Sequence, residues 1–162
     1  MTGNDKQYPK EPTMKTYIHY GHTAFIPEQF TPIQNRYGMT KPYGGFWASP
    51  KDAERGWKDW CEAEEFRECK ESNAFCFTLR DDSHVLTITN TEQLRSIPQQ
   101  NCEGFLMLWK ALDFETLEQS GVDAVEVNLS ADWNLYYELY GWDCDSILIM
   151  NPEIIVSIKE EI

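Results

Sequence analysis

The chain has 162 residues, of which 41% are hydrophobic and 14% aromatic, so we expect one packed core and no long disordered region. Its 27 acidic and 14 basic residues give a formal net charge of −13. That charge disfavours direct binding to nucleic-acid phosphates and favours a basic protein as a partner. The sequence shows no apolar signal stretch and no apolar run long enough to cross a membrane, so we expect a cytoplasmic protein that binds no membrane.

The cysteine content argues against a zinc site and against a disulfide framework. The number of cysteines is odd, none forms a CxxC pair, and the chain has only three histidines. The cysteines are Cys61, Cys69, Cys76, Cys102 and Cys144. We therefore expect reduced thiols and a site without a metal.

The first third of the chain predicts a leader, a strand and a long loop. Residues 1–14 are polar and predict a flexible leader, so the domain is expected to span residues 15–162. Aromatic and β-branched residues at 16–20 predict a first strand that ends at Gly21. The aperiodic stretch 22–45 contains three prolines, and a loop of this length is typical of a binding loop or a lid.

The next segment has the features of a helix start. Ser49 is suited to cap a helix, Pro50 to its first turn, and Asp52 to the positive end of its dipole. Apolar residues then recur at three-to-four spacing. These features predict a helix over residues 50–67 whose tryptophans pack on a sheet.

Short strands and helices are predicted to share the rest of the chain. The predicted strands are 74–79, 84–89, 122–127, 146–150 and 154–158. The predicted helices are 91–97, 114–119 with Asp113 as its cap, and 130–140 with Ser130 as its cap. This order lacks the regular alternation of a doubly wound sheet, so we expect a single α+β domain.

Two segments are candidates for a nucleotide site. His19 lies at the end of the first strand, where it can donate to a ribose hydroxyl, and Gly21 lets the backbone approach a flat amide. In the loop from Gly44 to Ser49, a pair of glycines precedes a stackable Trp47 and the predicted helix start, which suits a pyrophosphate. A surface histidine beside a turn and a tight turn with a buried tryptophan are the structural alternatives.

The third segment places a carboxylate at the beginning of a late apolar strand. Asp145 directly precedes Ser146, so it is expected at the edge of the core. A carboxylate there can stabilise an oxocarbenium-like centre or hold a ribose hydroxyl. The alternative is that Asp143 and Asp145 are ordinary acids of a turn.

The order of the three segments resembles that of the ADP-ribosyltransferases, especially the branch that includes the poly(ADP-ribose) polymerases. In that branch a His, a Tyr and a Glu lie on three separated strands. His19 with Gly21 is similar to the first motif. Residues 45–49, Gly-Phe-Trp-Ala-Ser, are similar to the second, with Trp47 in the position of the tyrosine.

The third motif is similar to residues 145–155, with Asp145 where the family has a glutamate one methylene longer. Glu126 and Glu138 are the nearest glutamates that could replace it, but Asp145 keeps the family's spacing to the final strand. The resemblance extends over residues 16–158.

The resemblance implies an ADP-ribosyltransferase-like domain with a mixed, split β-sheet core and flanking helices. It implies an enzyme of the glycosyltransferase class, namely a mono-ADP-ribosyltransferase, which uses NAD as its substrate and needs no metal. The acidic surface favours a protein as the acceptor; with water as the acceptor, the enzyme is an NAD glycohydrolase. The expected NAD-binding residues are His19, Gly21, Arg36, Gly44, Gly45, Trp47 and Ser49, with Lys41 as the alternative to Arg36 at the pyrophosphate. The expected catalytic carboxylates are Asp145 and Glu126.

Two other classes of function stay open at this point. One is a noncatalytic module that binds NAD or another ligand without turnover. The other is an acidic inhibitor that mimics nucleic acid and binds a basic protein through its charge.

Overall fold

Seven β-strands form one mixed sheet in the part of the chain that the structure, a computed structural model, describes: residues 14–102, 111–159 and 162. The strands are β1 (Tyr17–Tyr20), β2 (Phe46–Pro50), β3 (Ala74–Leu79), β4 (Val85–Ile88), β5 (Ala124–Val127), β6 (Ser146–Ile149) and β7 (Ile155–Ser157). Their order is β4-β5-β6-β2-β1-β3-β7, and only β4 and β5 run parallel. The expected single domain with a mixed sheet is confirmed.

Four short α-helices accompany the sheet in the described part of the chain: α1 (Trp57–Ala63), α2 (Thr91–Arg95), α3 (Phe114–Gln119) and α4 (Asn134–Glu138). One face of the sheet buries its side chains against α2, α3 and α4, through residues such as Leu94, Leu117 and Leu135. The other face carries a separate cluster that includes Tyr17 and Phe77. The sheet thus separates two apolar layers, because successive residues of a strand point to opposite faces.

Strand β2 holds the two halves of the sheet together. Its first three residues, from Phe46 to Ala48, pair with β6, and its last two, Ser49 and Pro50, pair with β1. Strand β1 therefore leaves β2 after Ile18, although its remaining residues still pair with β3. A gap opens between the end of β1 and the beginning of β2.

All six strands that the sequence predicts are present, with ends that differ by at most two residues, whereas β2 was not predicted. The short helices α2 and α3 are also present, and the Asp113 side chain caps α3 by accepting from the Thr116 N–H. Burial alone would raise the pKa of Asp113, but hydrogen bonds from Asn35 and Thr116 outweigh it and lower the pKa. The cap therefore keeps its negative charge at the positive end of the helix.

The predicted helix over residues 50–67 is wrong at both ends. Ser49 and Pro50 belong to β2, and α1 begins only at Trp57 with Gly56 as its cap. Ser49 still acts on the helix, because its hydroxyl accepts a hydrogen bond from the Trp57 N–H at 2.9 Å. The capping residue is present, but tertiary folding places it on the neighbouring strand.

The predicted helix over residues 130–140 is also only partly correct. A 3₁₀ turn covers Leu129–Ala131 and α4 covers Asn134–Glu138. The Ser130 hydroxyl donates to Asp145 instead of capping a helix. The turn at Gly141, where φ is +95°, ends the segment as expected.

The expected leader falls outside the described residues except for Met14, which is exposed. Within residues 14–102, 111–159 and 162, no helix is both long enough and apolar enough to span a bilayer.

Gly44 fixes the path by which the long loop enters β2. Its φ is +70°, and a Cβ atom there would lie 2.6 Å from the Thr31 carbonyl oxygen and closer still to that of Pro32. Both obstacles are backbone atoms, so they cannot rotate away. The loop before β2 therefore packs directly against this glycine.

We expect Gly44→Ala to destabilise the protein by about 3 kcal/mol, because it combines left-handed backbone strain with a backbone clash. Gly121→Ala is the matched control: φ is +88° there, but no atom lies within 4 Å of the position that a Cβ would take. The control should cost about 1 kcal/mol. Urea denaturation measures both values, and equal losses would contradict the proposed role of the clash.

Candidate functional site

A cavity of about 310 Å³ lies at the gap between β1 and β2. It is lined by His19 and Tyr20 from β1, by the strand residues Trp47 and Ser49, and by residues that precede β6. Its volume lies at the small end of the range for small-molecule sites, which is about 300–1,000 Å³. The divided pairing of β2 thus creates a cleft in which aromatic and polar side chains meet.

His19 bridges the gap from the β1 side. Its Nδ1 lies 2.7 Å from the Trp47 carbonyl oxygen, and its Nε2 lies 3.2 Å from the Nδ1 atom of His22. Burial lowers the pKa of His19; the Trp47 carbonyl opposes this shift and His22 adds to it. Nδ1 is therefore the protonated nitrogen of a neutral ring, and Nε2 accepts from His22.

Tryptophans form the apolar wall of the cavity. The Trp47 ring packs edge-to-face on Trp142, with ring centroids 4.8 Å apart. Trp142 is almost fully buried, and its indole N–H donates to the Thr40 carbonyl at 2.9 Å. The Trp57 ring, at the beginning of α1, completes the lining and stacks on Trp60. Such a wall suits a flat ring.

Charged side chains stand at the rim of the same cavity. The Lys41 ammonium lies 5.5 Å from the centroid of the Trp47 ring and 3.8 Å from the Asp143 carboxylate. The Arg67 guanidinium also lines the cavity and lies 5.8 Å from the Trp57 ring centroid. Two cations and one carboxylate therefore surround an aromatic pocket.

Cys144 also lines the cavity and is nearly fully buried. Burial is the largest of several influences that raise the pKa of its thiol to about 12. The thiol is therefore protonated at neutral pH and acts as a small apolar lining group.

Asp145 is not in this cavity, although it lies beside Cys144 in sequence. Its carboxylate accepts from the Ser130 N–H at 3.0 Å and the Ser130 hydroxyl at 2.7 Å, with a weaker bond from the Arg55 N–H at 3.3 Å. The Asp145 N–H in turn donates to the Arg55 carbonyl at 2.8 Å. Asp145 therefore ties two loops to the start of β6, and the structure does not bring it together with His19.

Glu126 shares a second, larger cavity of about 890 Å³ with Asp145. It is buried on β5, where it accepts from the Tyr17 hydroxyl at 2.5 Å and from the Lys15 ammonium. Burial, followed by the Glu126 charge, raises the pKa of Tyr17 above its usual value. Both buried carboxylates of the larger cavity thus have partners within the protein, and the aromatic groups line the smaller one.

The predicted NAD-binding residues are only partly brought together. His19, Trp47 and Ser49 line the smaller cavity, whereas Gly44 packs against the backbone of residues 31–32 and Gly45 against the Ile33 side chain and β6. The Gly21 N–H, expected to meet a carboxamide, donates to the Asn73 carbonyl at 2.8 Å.

Of the two predicted cations only Lys41 lines the cavity, and the predicted helix end is displaced. Arg36 lies over the Tyr43 ring at 4.7 Å and does not line the cavity. At the start of α1, the Gly56 N–H donates to Asp59 and the Trp57 N–H to Ser49, so these donors are already used. The anion-binding helix start that the sequence predicts is therefore not formed.

Sequence reasoning missed several residues of the cavity. Tyr20, Trp57, Arg67, Trp142 and Cys144 line it, and Asp143 supplies its carboxylate. The alternation of β6 contained no signal for Asp143, because residues two apart in a strand share a face and Asp143 lies before the bend at residues 144–145. Arg67 and Trp57 had no such signal either, since they enter through the position of α1.

His19 should make the stability of the protein depend on pH in a definite direction. In the unfolded chain His19 has an ordinary pKa of about 6.5. In the folded protein burial lowers that pKa, so protonation at low pH favours the unfolded state. The stability contributed by the neutral ring is present above the unfolded-state pKa and is lost as the pH falls below it. We expect His19→Asn to reduce the loss of unfolding free energy between pH 7.5 and 5.5.

Urea denaturation at the two pH values measures this difference. His84→Asn is the control, because His84 is exposed and lies before β4. An unchanged pH profile in His19→Asn, or an equal change in the control, would show that burial of His19 has no such effect.

The chain was also compared with known proteins. No family model matches it, and no curated protein or solved structure shows significant similarity to it. The geometry of the two cavities is therefore the basis on which a function is proposed.

Proposed function

We propose that this protein is an NAD-dependent mono-ADP-ribosyltransferase that transfers ADP-ribose to a protein acceptor, with its site in the smaller cavity. One observation carries the proposal: His19, Trp47 and Asp143 line one cavity at the gap between two strands. The motif order in the sequence, His then aromatic then carboxylate, agrees with it. Asp143 takes the role that the sequence had given to Asp145.

The Trp47 ring is the proposed platform for nicotinamide. Lys41 already holds a positive charge over this ring at 5.5 Å, which shows a geometry compatible with a cation–π contact. The pyridinium of NAD is flat and cationic, so it can replace the ammonium on this ring. Lys41 then becomes available for the phosphates.

Lys41 and Arg67 are the proposed phosphate-binding groups. Although the protein has a net charge of −13, two of its cations line the same aromatic cavity, where they can attract an anionic ligand. A ligand with a ring and phosphates matches this combination of lining groups. Because the cavity has only about 310 Å³, it suits the nicotinamide ribose, with the pyrophosphate at the rim and the adenosine outside.

Asp143 is the proposed catalytic carboxylate. In the reaction, the bond between C1′ of the ribose and the nicotinamide nitrogen breaks, and its electron pair neutralises the pyridinium as nicotinamide leaves. The ribose becomes an oxocarbenium-like cation, which a nearby carboxylate stabilises. The acceptor nucleophile then bonds to C1′ and loses its proton to solvent. Movement of Lys41 to the phosphates would release Asp143 for this role.

We expect the protein to release nicotinamide from NAD, and Asp143→Asn to lower the rate by about 10²-fold or more through the lost charge. Asp145→Asn is the matched control, since it removes an equal charge two residues away. The control should lower stability, because Ser130 and Arg55 lose a charged partner. It should retain most of the activity of the folded protein. Chromatographic assay of nicotinamide measures the rate.

The opposite ranking of the two variants would move the chemistry to the larger cavity and overturn the proposed site. Thermal stabilisation by NAD without release of nicotinamide would identify a noncatalytic binding module. If NAD has no effect and the protein binds a basic protein in a salt-dependent manner, the acidic inhibitor is the correct class.

We also expect Lys41→Met and Arg67→Met each to weaken NAD binding by about tenfold, because each removes a phosphate contact. Neither should weaken the binding of nicotinamide alone, which carries no phosphate. Arg36→Met removes a cation that lies over Tyr43 outside the cavity, and it should leave both affinities unchanged. Titration calorimetry measures them, and equal losses for NAD and nicotinamide would contradict the proposed phosphate contacts.

A further inference from the structure

An exposed aromatic face lies on the segment that contains α4. Four rings recur at three-to-four spacing: Trp133, Tyr136, Tyr137 and Tyr140. Their exposed fractions are 54%, 38%, 73% and 67%, whereas Leu135 and Leu139 of the same segment are fully buried. The segment is therefore amphipathic in an unusual way, because its solvent side is aromatic.

The rings of this face are close to one another. The centroids of Trp133 and Tyr136 lie 6.4 Å apart, and those of Tyr136 and Tyr137 lie 5.7 Å apart, both in edge-on arrangements. The Arg55 guanidinium lies 5.6 Å from the Trp133 centroid. The face thus already holds one arginine of the protein itself in a cation–π contact.

Carboxylates on the same segment give the face a negative field. Asp132 lies just before the rings, and hydrogen bonds, chiefly from the Asn134 N–H, lower its pKa. Glu138 has one carboxylate oxygen 3.8 Å from Arg95. Its other oxygen is buried without a hydrogen-bond partner among the described residues. The Glu138 side chain as a whole stays 26% exposed, so its charge adds to the negative field at this segment.

We propose that this aromatic face binds an arginine-rich segment of a partner protein. The rings offer cation–π surfaces, the carboxylates add a negative field beside them, and the net charge of −13 attracts a basic segment from a distance. Arginine fits better than lysine because its planar group stacks on rings while it donates to carboxylates. The inference uses no part of the proposed NAD site and stands or falls separately from it.

The test measures the binding of a fluorescent twelve-residue peptide of alternating Arg and Gly by anisotropy, at about 0.15 M salt to limit long-range attraction. We expect the double variant Tyr137→Ala, Tyr140→Ala to weaken binding by about tenfold, because it removes two rings without changing the charge. The matched control, Val156→Ala, truncates an exposed apolar residue on β7 and should bind as the wild type does. Replacing the arginines of the peptide by lysines should also weaken binding.

Circular dichroism checks that the double variant folds. Glu138→Gln gives a second measurement in a variant that keeps all four rings. It should weaken binding by several-fold. Equal affinities of wild type and the double variant would show delocalised attraction to the acidic surface and would overturn the inference. Equal binding of a peptide in which glutamine replaces every arginine would also overturn it, since the face would then bind an uncharged segment. So would a dimer in sedimentation that the double variant dissociates, since the face would then bind a second copy of the chain.

Discussion

The divided pairing of β2 is the constraint on which the candidate site depends. Its first residues follow β6 and its last residues follow β1, so the two neighbouring strands diverge on either side of it. Where two strands diverge, backbone groups lose their ladder partners and need others. The His19 ring supplies one by meeting the Trp47 carbonyl across the gap. The opening in the sheet is thus stabilised by the residue that lines the cavity.

The buried acids of the protein illustrate how environment assigns roles to similar groups. Glu126 and Asp145 are both buried, and each has hydrogen-bond donors around its carboxylate. A buried carboxylate with such partners is expensive to disturb, because removing a partner leaves its charge unpaired. Asp143 is more accessible and pairs with Lys41 at 3.8 Å, a distance at which the pair is easily exchanged. A ligand can therefore recruit Asp143 at a lower cost than either buried acid.

Local sequence signals correctly predicted the strands and helices whose formation depends mainly on their own residues. Apolar and β-branched runs located β1, β3 and β6, and the Asp113 cap located α3. The same signals failed at Ser49 and Ser130, whose hydroxyls bond distant groups instead of beginning helices. A serine before a proline marks a favourable helix start, but pairing of Ser49 and Pro50 with β1 outweighs that preference. The pairing partner lies in a distant part of the chain, so no local pattern contains it.

The sequence by itself determined the α+β class, the positions of most strands and the presence of histidine, tryptophan and aspartate in that order. Only the tertiary structure decided which aspartate lines the cavity with His19 and Trp47. Glu126 and Ile147 are register partners and share one face of the sheet, and Asp145, two residues before Ile147, continues on that face. The cavity with Trp47 lies on the other face, where Cys144 and Ser146 point. Alternation alone would place Asp143, two residues before Asp145, on that same face; it reaches the cavity because the chain bends at residues 144–145 before β6 begins. A motif match therefore cannot assign the site residue, since the bend that separates the two aspartates depends on the tertiary structure.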